Sequence, residues 1–410
     1  MSIKEIRIED YLYDLPQDRI ALYPLENRDQ SSLLVFRNGQ ISQSRFFNLP
    51  DLLPPDSMLI WNNTKVIPAR LEFKKSTGAL IEIFLVEPYS PSRYTTMFNK
   101  DGSCTWNAII GNQKKWKGDS LIRIIDSPSG PVQLSAEYAD IKDKNRILLK
   151  WSTEKLTFAQ ILDLFGKTPI PPYLKRDSND KDKTRYQTVY ANFDGSVAAP
   201  TAGLHFTTDL IEKLKKKNIR LNSLTLHVGP GTFFPVKSKT IGDHQMHAET
   251  VIIDKSIIQD LLGTKPDKLT VVGTTSMRSL ESLFWLGQKI SLDPNLDLNP
   301  LFVDQWEPYN YTHIIDVQES LNTILNFLDK KGFEQIQFIT RLIIVPGYRF
   351  RLVNRLITNF HQPSSTLLLL VSALIGNKWR DIYNYALANN FRFLSYGDSS
   401  LLEMQSNNHG

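Results

Sequence analysis

Residues 66–151 decide the fold, because apolar and polar side chains alternate in six short runs: VIPARLEF (66–73), ALIEIFLV (79–86), TWNAII (105–110), SLIRII (120–125), PVQLSAEY (131–138) and RILLKW (146–151). Alternation with a period of two places one face of a strand in a core and the other in solvent. Turn residues separate the runs, and no convincing helical pattern interrupts them. The stretch predicts an antiparallel barrel or sandwich, and we take residues 65–152 as an inserted antiparallel β-barrel domain.

The chain around this block has a different periodicity. Thr157 is placed to cap a helix that Gly166 ends, and Thr207 or Thr208 to cap another through the lysine-rich segment 213–217. Strands are then predicted at 219–228, 251–254, 269–272, 337–345 and 391–396, and helices at 276–286, 317–330, 365–374 and 379–388. This alternation predicts an α/β main domain with a mixed sheet and helices, discontinuous over residues 1–64 and 153–410.

Local signals predict three smaller features. Asn38-Gly39 separates apolar runs at 32–36 and 40–44, which indicates a type I′ hairpin. Repeated Pro, Asn and Asp at 288–311 predict a surface insertion. The charged residues at 175–185 predict a mobile loop.

The composition excludes several classes of protein. The 410 residues are 41% hydrophobic and 22% charged, which is typical of a globular chain and not of a disordered or collagenous one. Cys104 is the only cysteine, so an internal disulfide or a Cys-rich metal site is excluded. The apolar stretch 367–375 is shorter than the roughly 20 residues that span a bilayer, and MSIKEIRIED is charged where a secretory signal is apolar. We expect a cytoplasmic protein.

Most of the seven histidines lie in or near motif-like segments. These include His205 in AAPTAGLHF, His227 in LHVGPGTF, His244 and His247 in HQMHAE, and His361 in TNFHQP. A single histidine beside a strand is more often structural than catalytic, but clustering favours proton transfer or substrate binding. The spacing His244-x-x-His247-x-Glu249 also suits zinc, although no helical frame holds it, and we predict that the segment binds no metal.

Two strand-to-helix junctions predict anion sites, because free backbone amides and the helix dipole attract a carboxylate or phosphate there. One is residues 273–276 (GTTS) with Arg278 in the first turn, and the other is residues 359–366 (NFHQPSST). Ordinary N-capping by Ser and Thr is the alternative for either one. Two junctions in one sheet indicate a ligand with two acidic parts, or two ligands.

Familiar catalytic signatures, namely the P-loop, the nucleophile elbow and the dinucleotide fingerprint, are missing from the sequence. Gly229-Pro230-Gly231 follows a predicted strand but precedes Phe233-Phe234-Pro235, so it predicts a tight turn that a ligand can approach closely. The net charge of +5 does not separate a nucleic-acid binder from an ordinary enzyme. Basic clusters at 74–75, 114–117, 213–217 and 349–355 have aromatic neighbours, which suits RNA, although a solvated face is the alternative for 213–217.

Ten motifs in order resemble one family along nearly the whole chain: YDLPQDRIALYPLENRDQSSLLV, NNTKVIPARL, PIPPYLKR, RYQTVYANFDGSVAAPTAGLHFT, LHVGPGTFFPVK, HQMHAE, VGTTSMRSLES, PGYRF, TNFHQPSSTLLLLVSAL and FLSYGDSSL. They are similar to the S-adenosylmethionine:tRNA ribosyltransferase-isomerase family of the queuosine pathway. The resemblance implies an α/β domain with an inserted β-barrel. It also implies that the ribosyl part of S-adenosylmethionine moves onto 7-aminomethyl-7-deazaguanine at the tRNA wobble position, giving epoxyqueuosine, adenine and methionine. The sulfonium is then a co-substrate, no separate cofactor is needed, and a monomer is expected.

The resemblance also implies site residues. Its proton transfers suit histidines, and we predict that the catalytic residues His205, His244, His247 and His361 converge on one cleft at the sheet edge. The substrate-binding residues predicted are Arg70, Thr201, Gly203, Gly229, Gly231, Glu249, Gly273, Thr274, Thr275, Ser276, Arg278, Tyr348, Arg349 and Asn359. Within this set the GTTS junction and Arg278 are assigned to the methionine carboxylate. Arg70, Tyr348 and Arg349 are assigned to the anticodon loop.

The sequence departs from the family pattern at several positions. Asn63 and Asn354 stand where the family usually has Asp, Gln362 where Leu is common, and Pro230 and Phe234 replace smaller or more polar residues. The chain is also longer than most members, mainly at 288–338. Two other functions remain as alternatives: a tRNA-binding protein that has lost catalysis, and a methyltransferase, which should show a Gly-rich turn after the first strand.

Overall fold

A computed structural model describes residues 2–128, 130–229, 231, 235–294, 296 and 301–404. The predicted departures at Pro230 and Phe234 lie outside these residues. The chain divides into two compact units, the first formed by residues 1–64, 188–191 and 200–410 and the second by residues 65–187 and 192–199.

The strands are β1 Ser32–Arg37, β2 Gln40–Arg45, β3 Met58–Asn62, β4 Thr64–Val66, β5 Arg70–Lys74, β6 Leu80–Ser90, β7 Ser103–Gly111, β8 Leu121–Ser127, β9 Gly130–Tyr138, β10 Arg146–Trp151, β11 Gly166–Lys167, β12 Phe193–Ser196, β13 Arg220–His227, β14 Glu249–Asp254, β15 Leu269–Val272, β16 Phe302–Val303, β17 Gln335–Thr340, β18 Arg355–Asn359 and β19 Ser399–Glu403. The helices are α1 Leu49–Leu52, α2 Tyr94–Phe98, α3 Phe158–Phe165, α4 Asp180–Arg185, α5 Thr208–Lys216, α6 Lys255–Leu262, α7 Thr274–Leu292, α8 Val317–Lys331, α9 Thr366–Ile375 and α10 Lys378–Ala388.

The first unit is built on a mixed sheet with the strand order β16-β17-β14-β13-β3-β15-β18-β19-β1-β2. Its centre is parallel, because β13, β3, β15 and β18 run in one direction. One face packs on α5 through Phe206, Leu210 and Leu214, which share a core with Leu59 and Trp61 of β3. The long helix α7 crosses the same central strands and contacts α8 and α9. Helices therefore flank a mixed sheet, as the sequence predicts.

Capping and turn signals place several elements correctly. Asn38 and Gly39 both have positive φ angles, 51° and 75°, and they join β1 to β2 in the predicted hairpin. Thr157 begins α3 and Gly166 follows its last residue, while the Thr207 side chain accepts a hydrogen bond from the Leu210 amide at the start of α5. These elements form where local hydrogen bonds already favour them.

Three segments differ from the prediction. Residues 391–396 form no strand; Phe393 makes only an isolated bridge with Ile20, and the final strand is β19. The predicted charged loop contains α4, capped by Asn179, with Arg176 paired to the buried Asp182 at 2.7 Å. Within the predicted surface insertion 288–311, α7 continues to Leu292 and β16 extends the sheet beside β17, while residues 295 and 297–300 lie outside the described ones.

The second unit contains an antiparallel sheet with the order β11-β5-β6-β7-β10-β9-β8. The sheet curls, since Arg123 of β8 donates hydrogen bonds to the carbonyls of Glu72 in β5 (3.5 Å) and Phe165 (2.9 Å). No ladder between β5 and β8 is present among the described residues, so the structure shows a curled antiparallel sheet where the sequence predicted a barrel. The unit extends beyond residue 152, because Phe158, Ile161, Leu162 and Phe165 of α3 join its core. In the described residues of both units, no helix is long and apolar enough to span a bilayer.

Candidate active site

One edge of the larger sheet collects most of the predicted site residues of the first unit. The parallel strands β13, β3, β15 and β18 end at this edge, and β14, antiparallel to β13, begins there at Glu249. The register between Asn359 and Ser399, together with the parallel pairing of β19 and β1, brings the start of β1 to the same edge. Ligands of open α/β sheets bind outside the carboxyl ends of the strands, which makes this edge the candidate active site.

Two helices begin side by side at this edge. Gly273 has a φ angle of 91°, and its amide donates to the Ile357 carbonyl (2.8 Å), which fixes the turn from β15 into α7 beside β18. The amides of Thr274, Thr275 and Ser276 form the first turn, where no preceding helical carbonyl can accept them. A small pocket is lined by Thr274, Thr275 and Arg278 of α7, by Thr366 and Leu367 at the start of α9, and by Met246. The two predicted anion junctions therefore meet in one pocket.

Arg278 and Glu249 form a buried ion pair beside this pocket. Their side chains are only 8% and 3% exposed, and burial lowers the pKa of Arg278 to about 10, so the guanidinium stays charged at neutral pH. The Ser276 hydroxyl and the Arg278 Nε are buried without a hydrogen-bond partner among the described residues. Buried polar atoms without partners are rare, so these two donors remain unsatisfied in the first turns of α7.

The HQMHAE segment is a loop that leads into β14, and the side chain of Gln305 holds it. The Gln305 Nε2 donates to the His244 carbonyl (2.7 Å), and its Oε1 accepts from the Met246 amide (2.9 Å). Gln305 is 7% exposed, so both hydrogen bonds are shielded from water. Gly231 packs against the His247 ring of this loop, because a Cβ at residue 231 would lie 2.0 Å from that ring. No local sequence pattern marks Gln305 as a site residue, because its contacts lie about sixty residues away.

His244 and His247 share one environment. Burial lowers the pKa of His244, and the neighbouring His247 lowers it further. Burial also lowers the pKa of His247, followed by the charges of Arg278 and Arg341. Both imidazoles are therefore uncharged at neutral pH and able to accept a proton, and the nearby guanidinium groups favour an anionic ligand.

His205 is held inside the protein on the α5 side of the sheet. It is 4% exposed, its Nδ1 lies 2.8 Å from the Ser31 hydroxyl, and its Nε2 lies 3.2 Å from the Asn359 amide nitrogen. Burial, and then the charge of Arg392, lower its pKa to about 3. Because the Asn359 amide donates to Nε2, the proton resides on Nδ1, and both ring nitrogens are engaged.

His361 has a separate environment in the loop before α9. Its Nε2 lies 2.8 Å from the Thr358 hydroxyl, its amide donates to the Tyr383 hydroxyl (3.0 Å), and its carbonyl accepts from Tyr13. It is 8% exposed, and burial lowers its pKa to about 3. The ring is therefore a neutral, enclosed group.

The four predicted histidines lie along one sheet edge in three different surroundings. Thr358 and Asn359 are consecutive in β18, so their side chains leave opposite faces of the strand. His361 contacts the first and His205 the second, whereas His244 and His247 lie beside Arg278. Strand alternation therefore gives His205 and His361 separate surroundings at this edge, and the single shared cleft stays a prediction.

The assignment of Tyr348 to the anticodon loop is also corrected. Tyr348 is 4% exposed, and its hydroxyl donates to Glu281 (2.8 Å) and accepts from the Trp285 indole (2.7 Å). Glu281 also accepts the backbone amides of residues 351–353 at 2.9–3.0 Å. This network makes Tyr348 a packing residue, while its neighbour Arg349 is exposed.

Other predicted site residues have structural partners. Arg70 pairs with Glu82 at 2.8 Å in the second unit. Thr201 and Gly203 lie in one short 3₁₀ helix. A Cβ at residue 203 would lie 2.0 Å from the Tyr190 hydroxyl, so packing alone requires glycine there. Gly229 lies two residues after the end of β13, and a Cβ at this position would meet no atom within 4 Å.

Asn63, where the family usually has Asp, is satisfied as an amide. Its Nδ2 donates to the Ser223 hydroxyl (2.9 Å), and its Oδ1 accepts from Thr225 (2.8 Å). Within the described part of the chain, no three His, Cys, Asp or Glu side chains are grouped as metal ligands.

Comparison with known proteins gives a consistent result. The family described as queuosine biosynthesis protein matches residues 8–402. Proteins of Brucella ovis and Brucella melitensis, both named S-adenosylmethionine:tRNA ribosyltransferase-isomerase, are 37% identical over 407 residues, which cover 97% of this chain and 98% of theirs. A crystal structure of an S-adenosylmethionine tRNA ribosyltransferase from Thermotoga maritima is 26% identical, with a TM-score of 0.44, and the match covers 96% of this chain and 99% of that one.

Proposed function

The chain belongs to the queuosine biosynthesis protein family, and from this premise we propose that it moves and isomerises the ribosyl part of S-adenosylmethionine onto 7-aminomethyl-7-deazaguanine at the tRNA wobble position. It is a transferase and isomerase of tRNA modification that uses S-adenosylmethionine and tRNA. The products of the proposed reaction are epoxyqueuosine-tRNA, adenine and methionine. In this proposal the enzyme is a cytoplasmic monomer, and it needs no separate cofactor or metal.

The pocket between the starts of α7 and α9 is the observation that supports a sulfonium substrate with an amino-acid tail. The free amides of the GTTS turn attract a carboxylate, and the Arg278 guanidinium stands behind them. The unpartnered Arg278 Nε offers a further donor. We assign the methionine carboxylate of S-adenosylmethionine to this pocket.

The proton transfers are assigned to His244 and His247. Carbon 5′ next to the positive sulfur is acidic, so a neutral imidazole can remove its proton, and adenine leaves more readily when a donor protonates a ring nitrogen. The rearranged ribose then accepts the amine, and an alkoxide displaces methionine to close the epoxide. The imidazoles of His244 and His247 are partly exposed. His205 and His361 are buried, and their hydrogen bonds suit a role in stabilising the sheet edge.

Product analysis tests the proposal directly. tRNA carrying 7-aminomethyl-7-deazaguanine is incubated with the protein and S-adenosylmethionine, and nucleosides and small molecules are identified by mass spectrometry. We expect epoxyqueuosine together with equal amounts of adenine and methionine. Methylated tRNA with S-adenosylhomocysteine would instead indicate a methyltransferase, and tRNA binding without any product would indicate a protein that has lost catalysis.

Arg278→Lys tests the carboxylate assignment in the same assay. It keeps a positive charge for Glu249 but removes the planar guanidinium, so the KM for S-adenosylmethionine should rise about 10- to 150-fold, equivalent to a charge-assisted hydrogen bond of about 1.5–3 kcal/mol. An unchanged KM for S-adenosylmethionine with a raised KM for tRNA would move this pocket to the nucleic acid.

A further inference from the structure

One end of the second unit gathers three lysine-bearing connections. Glu82 pairs with Gly111 and Arg146 pairs with Asn107, so the turn before β6, the connection after β7 and the turn before β10 all leave the same end of the curled sheet. We call residues 74–79, 112–120 and 139–146 the lysine end. The sequence shows the clusters at 74–75 and 114–117, and the fold adds the lysines at 142 and 144 to them.

The lysine end accounts for the net charge of the whole chain. It contains eight Lys or Arg against three Asp, a net of +5, and the formal net charge of all 410 residues is also +5. The remainder of the chain is therefore balanced. A local excess of positive charge at one end of one unit attracts a polyanion.

The acidic residues of the lysine end are already engaged. Asp119 pairs with Lys75 at 2.9 Å, and Asp143 pairs with Arg146 at 3.0 Å. Asp140 accepts a hydrogen bond from the backbone amide two residues later (2.8 Å). Six lysines are exposed and have no ion pair described in this part of the chain: Lys74, Lys114, Lys115, Lys117, Lys142 and Lys144.

Hydrogen bonds fix the three connections to one another. The Lys75 ammonium donates to the Lys115 carbonyl (3.2 Å), and the Gln113 side chain donates to the Lys144 carbonyl (3.3 Å). Trp116 stacks on Tyr138 with ring centres 4.0 Å apart. The backbone that carries the lysines is thus ordered before any ligand arrives, which reduces the entropy lost on binding.

The other lysine-rich segment, 213–217, differs because two of its lysines have ion-pair partners. Lys215 pairs with Glu212 at 2.9 Å, and Lys217 pairs with Asp51. Ion pairs thus engage two of the four lysines in this segment, whereas the six exposed lysines of the lysine end have none described, so we favour the solvated-face interpretation for 213–217.

We propose that the lysine end binds the phosphate backbone of tRNA. Lysine ammonium groups recognise phosphates as point charges without reading bases, so this surface adds affinity and orientation while the sheet edge of the first unit carries out the chemistry. The inference rests on tRNA being the substrate, as in the proposed function. It concerns binding alone and can be measured without turnover.

Salt-dependent binding of tRNA provides the test. The triple variant Lys114→Gln, Lys115→Gln, Lys117→Gln is compared with the wild type and with Lys213→Gln, Lys215→Gln, Lys216→Gln, which loses the same charge from α5. Each lost phosphate contact lowers the slope of log Kd against log salt by about 0.7–0.9. We expect the slope to fall by about 2 and the Kd to weaken about 10- to 100-fold at 0.1 M KCl, while the α5 variant stays close to wild type. The double variant Lys142→Gln, Lys144→Gln should also raise the Kd for tRNA and lower the salt slope. It replaces the triple variant in the test if the triple variant does not fold.

Two outcomes would overturn the inference: a wild-type slope and Kd in both lysine-end variants, or an equal loss of affinity and slope in the α5 variant. The first removes the lysine end from tRNA binding, and the second makes the loss a general effect of lowered net charge. A wild-type protein that binds tRNA with the expected slope but forms no product would count against the proposed function and not against this surface.

Discussion

The buried guanidinium of Arg278 pairs with the buried carboxylate of Glu249, which ties the first turns of α7 to the start of β14. One residue, Met277, separates Arg278 from the GTTS turn, and one residue, Ala248, separates Glu249 from His247. The pair therefore links the predicted carboxylate site to the predicted proton-transfer loop.

Arg278→Met should destabilise the protein by about 3–5 kcal/mol, because it leaves the Glu249 carboxylate buried without a partner. Adding Glu249→Gln should recover part of this loss, since the uncompensated charge disappears. Urea unfolding of the single and double variants measures the coupling. The exposed pair Lys378 and Asp381 is the control, with an expected coupling of about 0.2–1 kcal/mol. Strictly additive losses at Arg278 and Glu249 would contradict the pairing.

The pH dependence of activity should report His244 and His247. Burial lowers the pKa of both, so the neutral form persists below the usual value of about 6.5, and kcat/KM should stay level at neutral pH and fall only in more acidic solution. His244→Gln or His247→Gln should lower kcat by about 10²–10⁴. The exposed His313→Gln is the control. If both loop variants keep the kcat of wild type, the base lies elsewhere.

Acid should destabilise the fold through His205 and His361. Their pKa is about 3 in the folded protein and about 6.5 when unfolded, so the unfolded chain binds more protons between these values. The free energy of unfolding should therefore fall as the pH drops from about 6.5 toward 3, by about 1.4 kcal/mol per pH unit for each histidine.

His205→Gln should remove one such contribution, and the exposed His313→Gln serves as the comparison variant. Chemical unfolding at several pH values measures the slope, and the difference between the two variants cancels the contribution of carboxylates. A His205→Gln protein with an unchanged slope would mean that His205 is accessible to protons in the folded state.

The contact between α7 and α8 depends on Gly287. A Cβ at this position would lie 2.2 Å from the Ser320 hydroxyl and 2.5 Å from the Ser320 carbonyl oxygen, and the backbone oxygen cannot rotate away. We expect Gly287→Ala to cost about 1–3 kcal/mol of stability. Gly263→Ala is the control, because its Cβ would meet only the Asp260 carbonyl at 3.8 Å. Equal melting temperatures for both variants would show that α8 does not pack here.

The sequence predicts what is local and misses what is distant. The β1–β2 hairpin, the α3 and α5 caps and the GTTS junction form where neighbouring residues supply the turn or the cap. The strands β3 and β18 were missed because every side chain in them is buried, so no alternation is visible. The network of Glu281 with Tyr348 has no local signature, and its long-range hydrogen bonds explain why Tyr348 was misassigned.

Gln305 should act as a positioning residue for the HQMHAE loop. Its amide is the only side-chain group described that binds both the His244 carbonyl and the Met246 amide, so Gln305→Met removes two buried hydrogen bonds and frees the backbone that carries both histidines. A displacement of about 1 Å can reduce a rate about 10²-fold, so kcat should fall by about 10- to 100-fold. The KM for S-adenosylmethionine should change less than threefold if its carboxylate is held at α7 and not by this loop.

Further measurements separate positioning from a loss of folding. Gln318→Met also removes an amide that donates to a backbone carbonyl, that of Leu262 (3.2 Å), and it should leave kcat unchanged. Gln305→Glu keeps the acceptor for Met246 but loses the donor to His244, so it should lie between Gln305→Met and wild type. The imidazole signals of His244 and His247 in an NMR pH titration should move toward the ordinary pKa of about 6.5 in Gln305→Met, because a loosened loop admits water. Unchanged titration curves together with a wild-type kcat would show that the loop holds its place without Gln305.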